Sequence, residues 1–419
     1  MKLSSTTAHN SNAQRGSIII MMAIAIVALL AIMGLAIDTG RYVVVKAQLA
    51  KACDGAALAG ARNLPIGQAP AKQAAYEYAE MNFAGGFMNT TSHGFVVGFG
   101  SDPQNPRVAI DGTANMPTTF LRVVGIDNVL VHATAEAERR PISVAMVLDN
   151  SGSLDKGYNG VDAIGYLKDA AQNFVGYFDD NADKMSLTLF STGTVLDYPL
   201  NHAFTTPMRQ SFTGMQARQD TNLSDPLIQG TQQLDKDPDP ASFKALVFFT
   251  DGRPTALRGV FRVGATNYDA VIAGDQDPAG PVDPQLYQYD QFHTAMKGVR
   301  YTSATLPNGM PATALNLQGL AGANLLAAAA AARRDGIAVY AIGLGNPRAT
   351  KPWIQPDGRL MMEIANVPSG TDPITGQVMN NPTYDPSQPK GGFYFAPDAD
   401  GLKAVFEQVA REIVLRLTQ

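Results

Sequence analysis

The pentapeptide Asp149-Asn150-Ser151-Gly152-Ser153 places one carboxylate and two hydroxyls on alternate residues of a short loop. Side chains so spaced can face one point, and a hard cation of the magnesium type takes about six oxygen ligands, some of them water. Alone, this D-x-S-x-S arrangement is a weak signal. Two further segments strengthen it. Thr221, within Asp220-Thr221-Asn222-Leu223, offers a third hydroxyl ahead of a helical stretch from Ser224 to Leu234. Asp251, within Phe249-Thr250-Asp251-Gly252, offers a second carboxylate after an apolar run. Asp149, Ser151, Ser153, Thr221 and Asp251 together carry two carboxylates and three neutral hydroxyls, a set suited to Mg²⁺ or Mn²⁺ rather than to a soft metal. With only two carboxylates, the cation keeps affinity for one further anion, which a partner Asp or Glu can supply.

The elements that must position these residues are an alternation of apolar runs and helical patterns. The runs are 142–148, 186–190, 245–250, 337–345 and 393–396; helical stretches cover 161–178, 224–234 and 319–334. Strands apolar throughout and separated by helices predict an α/β fold with a doubly wound, mostly parallel sheet covered on both faces. In such sheets ligands sit at the carboxyl ends of the strands, where the winding reverses. Asp149 and Asp251 fall at such ends.

The order Asp149-x-Ser151-x-Ser153, then Thr221, then Asp251 resembles the von Willebrand factor A (VWA) domain and its metal-ion-dependent adhesion site, over residues 141–419. The resemblance implies a Rossmann-like fold and a Mg²⁺ or Mn²⁺ site one ligand short, completed by a carboxylate of a protein partner, with no chemistry done on that partner. Leu154 stands where relatives often have methionine, a change that leaves the ligands untouched. The stretch 253–318 exceeds what this fold needs as a connection and is rich in Gly, Pro, Tyr and Asn. It starts on the metal face, and long loops are usually functional or disordered; partner recognition and a plain surface excursion are both open readings. Its acidic cluster, Asp275, Asp277 and Asp283, lacks the glycine and terminal glutamate of a calcium-binding EF-hand loop and reads as solvated loop.

Other catalytic signatures fail. The aspartate-first phosphotransferase pattern needs a second aspartate where Ser151 stands. Ser153-Leu154-Asp155-Lys156 fits S-x-x-K without the S-D-N or K-T-G partners. Gly343-x-Gly345 has Arg348 in place of a third glycine, so dinucleotide binding fails. There is no phosphate loop and no G-x-S-x-G elbow. The expectation is a non-enzymatic protein with no small-molecule substrate.

The N-terminal part sets the location. After a short tail, residues 1–16, no charge occurs from Ser17 to Ile37. At 1.5 Å per residue that run spans a hydrocarbon core of roughly 30 Å, and it is longer than a signal-peptide core. The helix then continues through Asp38 to Arg62 without proline. Basic residues do not decide the orientation: Lys2 and Arg15 precede the span, Arg41, Lys46, Lys51 and Arg62 follow it. Residues 15–20 (RGSIII), 36–42 (AIDTGRY) and 47–62 (AQLAKACDGAALAGAR) resemble the N-terminal segment of TadG-like pilus-assembly proteins of bacterial tight-adherence (Flp pilus) systems. This implies a single-pass anchor in the bacterial inner membrane, a periplasmic C-terminal part, and pilus or secretion-machinery partners. Met21 stands where a processed prepilin would carry glutamate, so the chain is expected to be an uncleaved assembly component.

Residues 63–140 read as a small α+β connector: a helix over 69–83 and extended runs at 95–99, 107–111 and 129–137. The chain has 419 residues, 45% of them hydrophobic and 16% charged, enough for two to three ordinary domains. A formal net charge of −5 without an extended basic stripe argues against nucleic acid as a partner. The single cysteine, Cys53, rules out an intramolecular disulfide and reads as a small packing residue. The rival to the pilus reading is a membrane-tethered VWA protein that works with a cytoplasmic AAA+ ATPase, which needs the opposite orientation.

Overall fold

The computed structural model describes residues 11–64, 67–102, 106–155, 162–274, 277, 279–345, 355–372 and 375–415. Most of the tail expected at 1–16, together with Lys156, Asp275 and Arg348, lies outside the described residues. The chain forms two compact units, one within Met1–Arg139 and one within Arg140–Gln419.

The first unit is organised by α1 (Ser11–Asn63), a continuous helix of 53 residues. From Ile18 to Ile37 the large apolar side chains of α1 are exposed, and this stretch is long and apolar enough to cross a membrane. Beyond it α1 becomes one-sided. Val45, Leu49, Ala52, Cys53, Ala56 and Ala57 are buried, a spacing that keeps them on one helix face. That face packs against α2 (Gln68–Asn82) and against an antiparallel sheet of β1 (Ser92–Phe99), β2 (Arg107–Pro117) and β3 (Asn128–Glu138) in the order β1-β2-β3. Residues 39–62, expected only as an extension of the membrane helix, are thus the central core helix of this unit. The alternation Val108, Ile110, Ala114, Met116 supplies the inward face of β2. Cys53 is buried with its Sγ 3.6 Å from the Ala133 carbonyl, and burial pushes its thiol up to about 11, as befits a packing residue.

Asp38 marks the change in α1. Its carboxylate, 1% exposed, accepts hydrogen bonds from the backbone N–H groups of Thr119 (2.9 Å), Phe120 (2.8 Å) and Leu121 (2.8 Å), with the Arg41 guanidinium 3.8 Å away. Burial works against the charge, but the three donors and Arg41 outweigh it and hold the carboxyl below its ordinary range.

The second unit is built on a six-stranded sheet. Its strands are β4 (Ile142–Asp149), β5 (Lys184–Phe190), β6 (Thr194–Asn201), β7 (Phe243–Thr250), β12 (Ala338–Leu344) and β15 (Gly392–Ala396), in the order β15-β12-β7-β4-β5-β6. All neighbours are parallel except β5 and β6. Ile142, Val144, Met146 and Leu148 of β4 pack on one side with α3 (Ala163–Val175), α4 (Thr205–Gly214) and α8 (Leu402–Leu415). Ala145 and Val147 pack on the other with α5 (Ser224–Leu234), α6 (Ala314–Arg334) and α7 (Gly358–Ile364). The α/β expectation holds: strands buried on both faces read as near-continuous apolar runs, interrupted by small buried hydroxyls such as Ser143, Ser186 and Thr188. Helix α6 is also apolar enough to cross a membrane, but Leu325, Ala329 and Ala332 bury it in this core. A short hairpin, β13 (Ser369–Thr371) and β14 (Val378–Asn380), precedes β15.

The stretch 253–318 is not an irregular loop. It folds into an antiparallel sheet of β8 (Ala256–Val263), β9 (Thr266–Gly274), β10 (Val282–Tyr287) and β11 (Ala295–Arg300), and α6 already begins at Ala314. Leu257, Phe261, Ile272, Leu286 and Tyr301 form a small core with Leu317 and Ala321 of α6. The one-sided apolar face of α6 explains why this sheet needs no separate hydrophobic layer.

Candidate metal centre

Strand β4 lies mid-sheet: the chain leaves it for β5 and β6 on one side and returns to β7 on the other. Asp149 ends β4 and Asp251 follows β7, so both carboxylates stand at the carboxyl ends of adjacent strands where the winding reverses. Asp149 is 0% exposed. Its Oδ1 accepts from the Ser151 N–H (2.7 Å) and its Oδ2 from the Thr250 hydroxyl (2.6 Å). The Ser151 and Ser153 hydroxyls are 3.1 Å apart, and the Ser153 hydroxyl donates to Asp251 Oδ1 at 2.6 Å. Four of the five expected residues therefore share one hydrogen-bonded chain.

The fifth, Thr221, reaches the same loop cluster through its backbone. The Gly152 N–H donates to the Gln219 carbonyl (2.8 Å) and the Arg218 N–H to the Asn150 carbonyl (2.7 Å). A Cβ at Gly152 would lie 2.5 Å from the Arg218 carbonyl oxygen, so the approach of the two loops requires glycine. The Thr221 N–H donates to the Thr255 hydroxyl (2.9 Å), and its carbonyl accepts from the N–H groups of Thr255 (3.0 Å) and Ala256 (3.1 Å). Among the described residues the Thr221 hydroxyl makes no hydrogen bond to the other four.

Burial raises the carboxyls of both Asp149 and Asp251, and repulsion from Asp149 raises Asp251 further. Among the described residues no Lys, Arg or His is paired with either one. Two buried carboxylates linked through the serine hydroxyls, with no cation paired to either among the described residues, form a donor set of hard oxygens, which fits a divalent ion of the Mg²⁺ class. No group of three or more His, Cys, Asp or Glu that could hold a metal occurs among the described residues. Asp283, from the acidic cluster, instead accepts from the Gln285 N–H and the Tyr287 hydroxyl, and Asp277 from the Ala279 N–H.

The sequence reading missed two features. One is the Thr250 hydroxyl that orients Asp149, although Thr250 stands beside Asp251 in the same tetrapeptide. The other is the turn at 288–294 between β10 and β11, which contacts the loops at 191–193 and 218–220 beside the candidate site. His293 stacks on Tyr287 with ring centres 3.6 Å apart, and its Nδ1 lies 3.1 Å from Asp220 Oδ2 and 2.8 Å from the Thr192 hydroxyl. Burial works against charge on both partners, lowering His293 and raising Asp220 to about 6. A Cβ at Gly193 would meet the Asp290 backbone at 2.5 Å, and the Arg218 guanidinium sits 4.7 Å from the centre of the Phe292 ring. No short sequence pattern announces these contacts, because they join residues about 70 to 100 positions apart.

Comparison with known proteins gives two family matches. The profile of the putative Flp pilus-assembly TadE/G-like family matches residues 16–63, and that of the von Willebrand factor type A domain matches residues 144–253. The chain thus joins a TadE/G-like segment to a VWA domain. No curated protein matches it significantly. Among solved structures, the pilus adhesin SpaC from Lactobacillus rhamnosus GG aligns at 16% identity and a TM-score of 0.41 over 78% of this chain, which spans only 35% of the adhesin. The PilB minor pilin from Streptococcus sanguinis aligns at 15% identity and 0.43, covering 79% of this chain and 80% of that one. The vWF domain of the type V pili tip protein Mfa5 from Porphyromonas gingivalis aligns at 14% and 0.42, covering 67% and 97%.

Proposed function

We propose that this chain is a membrane-anchored, non-catalytic component of a pilus system that grips a protein partner through a divalent cation, Mg²⁺ or Mn²⁺. Asp149, Ser151, Ser153, Thr221 and Asp251 would hold the ion. When bound, it supplies a Lewis-acidic position for one more anionic oxygen, a carboxylate of the partner. The observation that carries the reading is the pair Asp149 and Asp251, buried at the ends of adjacent strands, bridged by the serine hydroxyls and with no cation paired to either among the described residues. The protein's own part is positioning: Thr250 fixes the Asp149 carboxylate and Gly152 lets the Thr221 loop approach.

Partner choice fits the 288–294 turn. Phe292 is 63% exposed beside Arg218, which lies on the loop that carries Thr221, so an aromatic and a cation stand together there. An apolar or aromatic residue next to the partner's carboxylate would suit that pair. The TadE/G-like match and the apolar stretch of α1 support a single-pass anchor, which in this reading sits in the bacterial inner membrane with residues 38–419 in the periplasm.

Calorimetric titration of the purified full chain with Mg²⁺ and Mn²⁺ tests the metal. Uptake is expected to be lost in Asp251→Ala, and partner capture from pilus-bearing cells is expected to be lost in the same variant and on chelation. Absence of uptake at millimolar ion, with capture surviving chelation, would refute the site.

One observation favours a second reading: basic residues cluster after the span, at Arg41, Lys46, Lys51 and Arg62, the pattern of a cytoplasmic flank. That placement would suit a VWA partner of a cytoplasmic AAA+ ATPase. A C-terminal reporter active only in the periplasm separates the two: activity supports the pilus reading, silence the other.

A further inference from the structure

The turn from Phe120 to Ile126 carries Phe120, Leu121, Val123, Val124 and Ile126 in a single loop of the first unit. Val123 is 84% exposed, Ile126 46% and Phe120 41%, so one short turn holds three exposed large apolar side chains. Such a concentration on a small unit marks a surface that something covers.

Its place along α1 identifies the cover. Phe120 packs directly on Gly34: a Cβ built there would come within 2.4 Å of the Phe120 Cβ. Gly34 lies inside the apolar stretch that ends at Ile37, about 4.5 Å of helix rise before its end. If that stretch fills the roughly 30 Å hydrocarbon layer, the part of the turn that touches Gly34 lies at or below the layer's edge. A bilayer that surrounds Gly34 on its remaining sides then meets Phe120 and its apolar neighbours as well.

The turn's backbone is also prepared for low water. Where water is scarce, at the edge of the hydrocarbon layer, backbone polar groups left without partners are costly. Asp38 takes the N–H groups of Thr119, Phe120 and Leu121. The N–H groups of Val123, Gly125 and Ile126 bond to the carbonyls of Phe120, Arg122 and Leu121 at 3.0–3.2 Å. The Thr118 hydroxyl donates to the Ile126 carbonyl at 2.5 Å. Gly125, at φ +88°, makes the tight reversal that closes this set. Exposed Arg122 can reach lipid phosphates from the interface.

We propose that the turn Phe120–Ile126 is a second membrane contact, a wedge seated in the interfacial layer of the bilayer that α1 crosses. The inference rests on the reading of residues 18–37 as the membrane span. With two points held at the surface, the first unit is fixed against rotation about its own helix, which a single anchor would leave free.

The test uses the full chain in vesicles of phosphatidylethanolamine and phosphatidylglycerol. An environment-sensitive fluorophore is placed at Val123→Cys, at Leu29→Cys within the span, or at Glu136→Cys on β3, far from the turn; native Cys53 is buried and does not compete. Lipids carrying nitroxides near the headgroup or near the bilayer centre, and aqueous iodide, serve as quenchers. The Val123 label is expected to be quenched by headgroup-level nitroxides and shielded several-fold from iodide relative to Glu136, with Leu29 quenched from the bilayer centre. A Val123 label as open to iodide as Glu136, with Leu29 still buried, overturns the wedge and leaves the anchor standing. A Val123 label shielded from iodide yet untouched by lipid nitroxides means protein covers the turn, and also overturns it. A Leu29 label that no lipid nitroxide reaches removes the anchor itself, and the wedge with it.

Discussion

At the residue scale, the two aspartates of the proposed metal centre are not equivalent, and mutation should expose the difference. Asp149 holds the Ser151 N–H and the Thr250 hydroxyl in a fully buried place, whereas Asp251 accepts one side-chain hydroxyl, that of Ser153, among the described residues. Asp149→Ala orphans those donors and is expected to cost about 1–3 kcal/mol without metal. Asp251→Ala removes a buried like charge, so in chelator at alkaline pH it should melt no lower than the unmutated chain. Only the unmutated chain should gain from added ion, about 2.7 kcal/mol at a hundredfold excess over Kd; thermal melts with and without Mg²⁺ read both. The pH dependence has a definite sign. Both carboxyls are raised in the fold, so between the ordinary carboxylate range and their raised values the folded state holds more protons than the unfolded state. Stability of the metal-free domain then falls as pH rises through that window. Metal must displace those protons, so calorimetric heats in two buffers of different ionisation enthalpy should differ. Equal heats would show that no proton leaves.

At the element scale, the loops owe their spacing to small residues. Gly152→Ala pushes against the Arg218 carbonyl, a 2.5 Å contact with backbone that cannot swing aside. The expected result is a folded domain with Mg²⁺ affinity lowered about tenfold, roughly 1.4 kcal/mol, measured by the same titration. The inserted sheet carries a prediction of its own. A short glycine-containing turn in place of residues 256–311 would uncover Leu317, which is 0% exposed and belongs to the sheet's core. Full exposure of such a leucine costs about 1.5–3 kcal/mol, before any effect on the loops the sheet touches. Phe292→Ala, by contrast, alters an exposed ring and should leave the melting temperature unchanged while weakening partner capture; capture at full strength would take Phe292 out of the interface. The insertion was hard to read as strands because Gly and Pro interrupt its alternation and its pairing shifts register between Val282 and Leu286 and between Gln285 and Tyr287.

At the scale of the whole molecule, α1 carries both the long exposed apolar stretch and the core helix of the first unit. A fragment that begins at residue 38 retains Val45, Leu49, Ala52, Cys53 and Ala56, and also Asp38, and should keep that unit folded. A fragment that begins at residue 63 removes the face on which α2 and the sheet pack. It is expected to lose protection of the β2 and β3 amides in hydrogen exchange, while the amides of the sheet built on β4 stay protected because that unit has its own cores. Equal protection of β2 and β3 in both fragments would show that α1 is dispensable there.

Periodicity and apolar runs determined much from the amino-acid order alone. The buried parallel strands and their helices read as they fold, because a strand covered on both faces is a near-continuous apolar run. The strand-end positions of Asp149 and Asp251 followed from that pattern. So did the long apolar stretch of α1, since about 20 residues without charge have few other uses. Tertiary structure decided what depends on distant partners. That Thr250 steadies Asp149, that Asp38 closes the turn at Phe120 against α1, and that the 288–294 turn lies beside the loop of Thr221 are contacts between segments remote in sequence. None has a periodic or composition signature. Hydrogen bonds and packing across such separations are set by how the sheets and helices bring the chain back on itself, and only the folded chain contains that information.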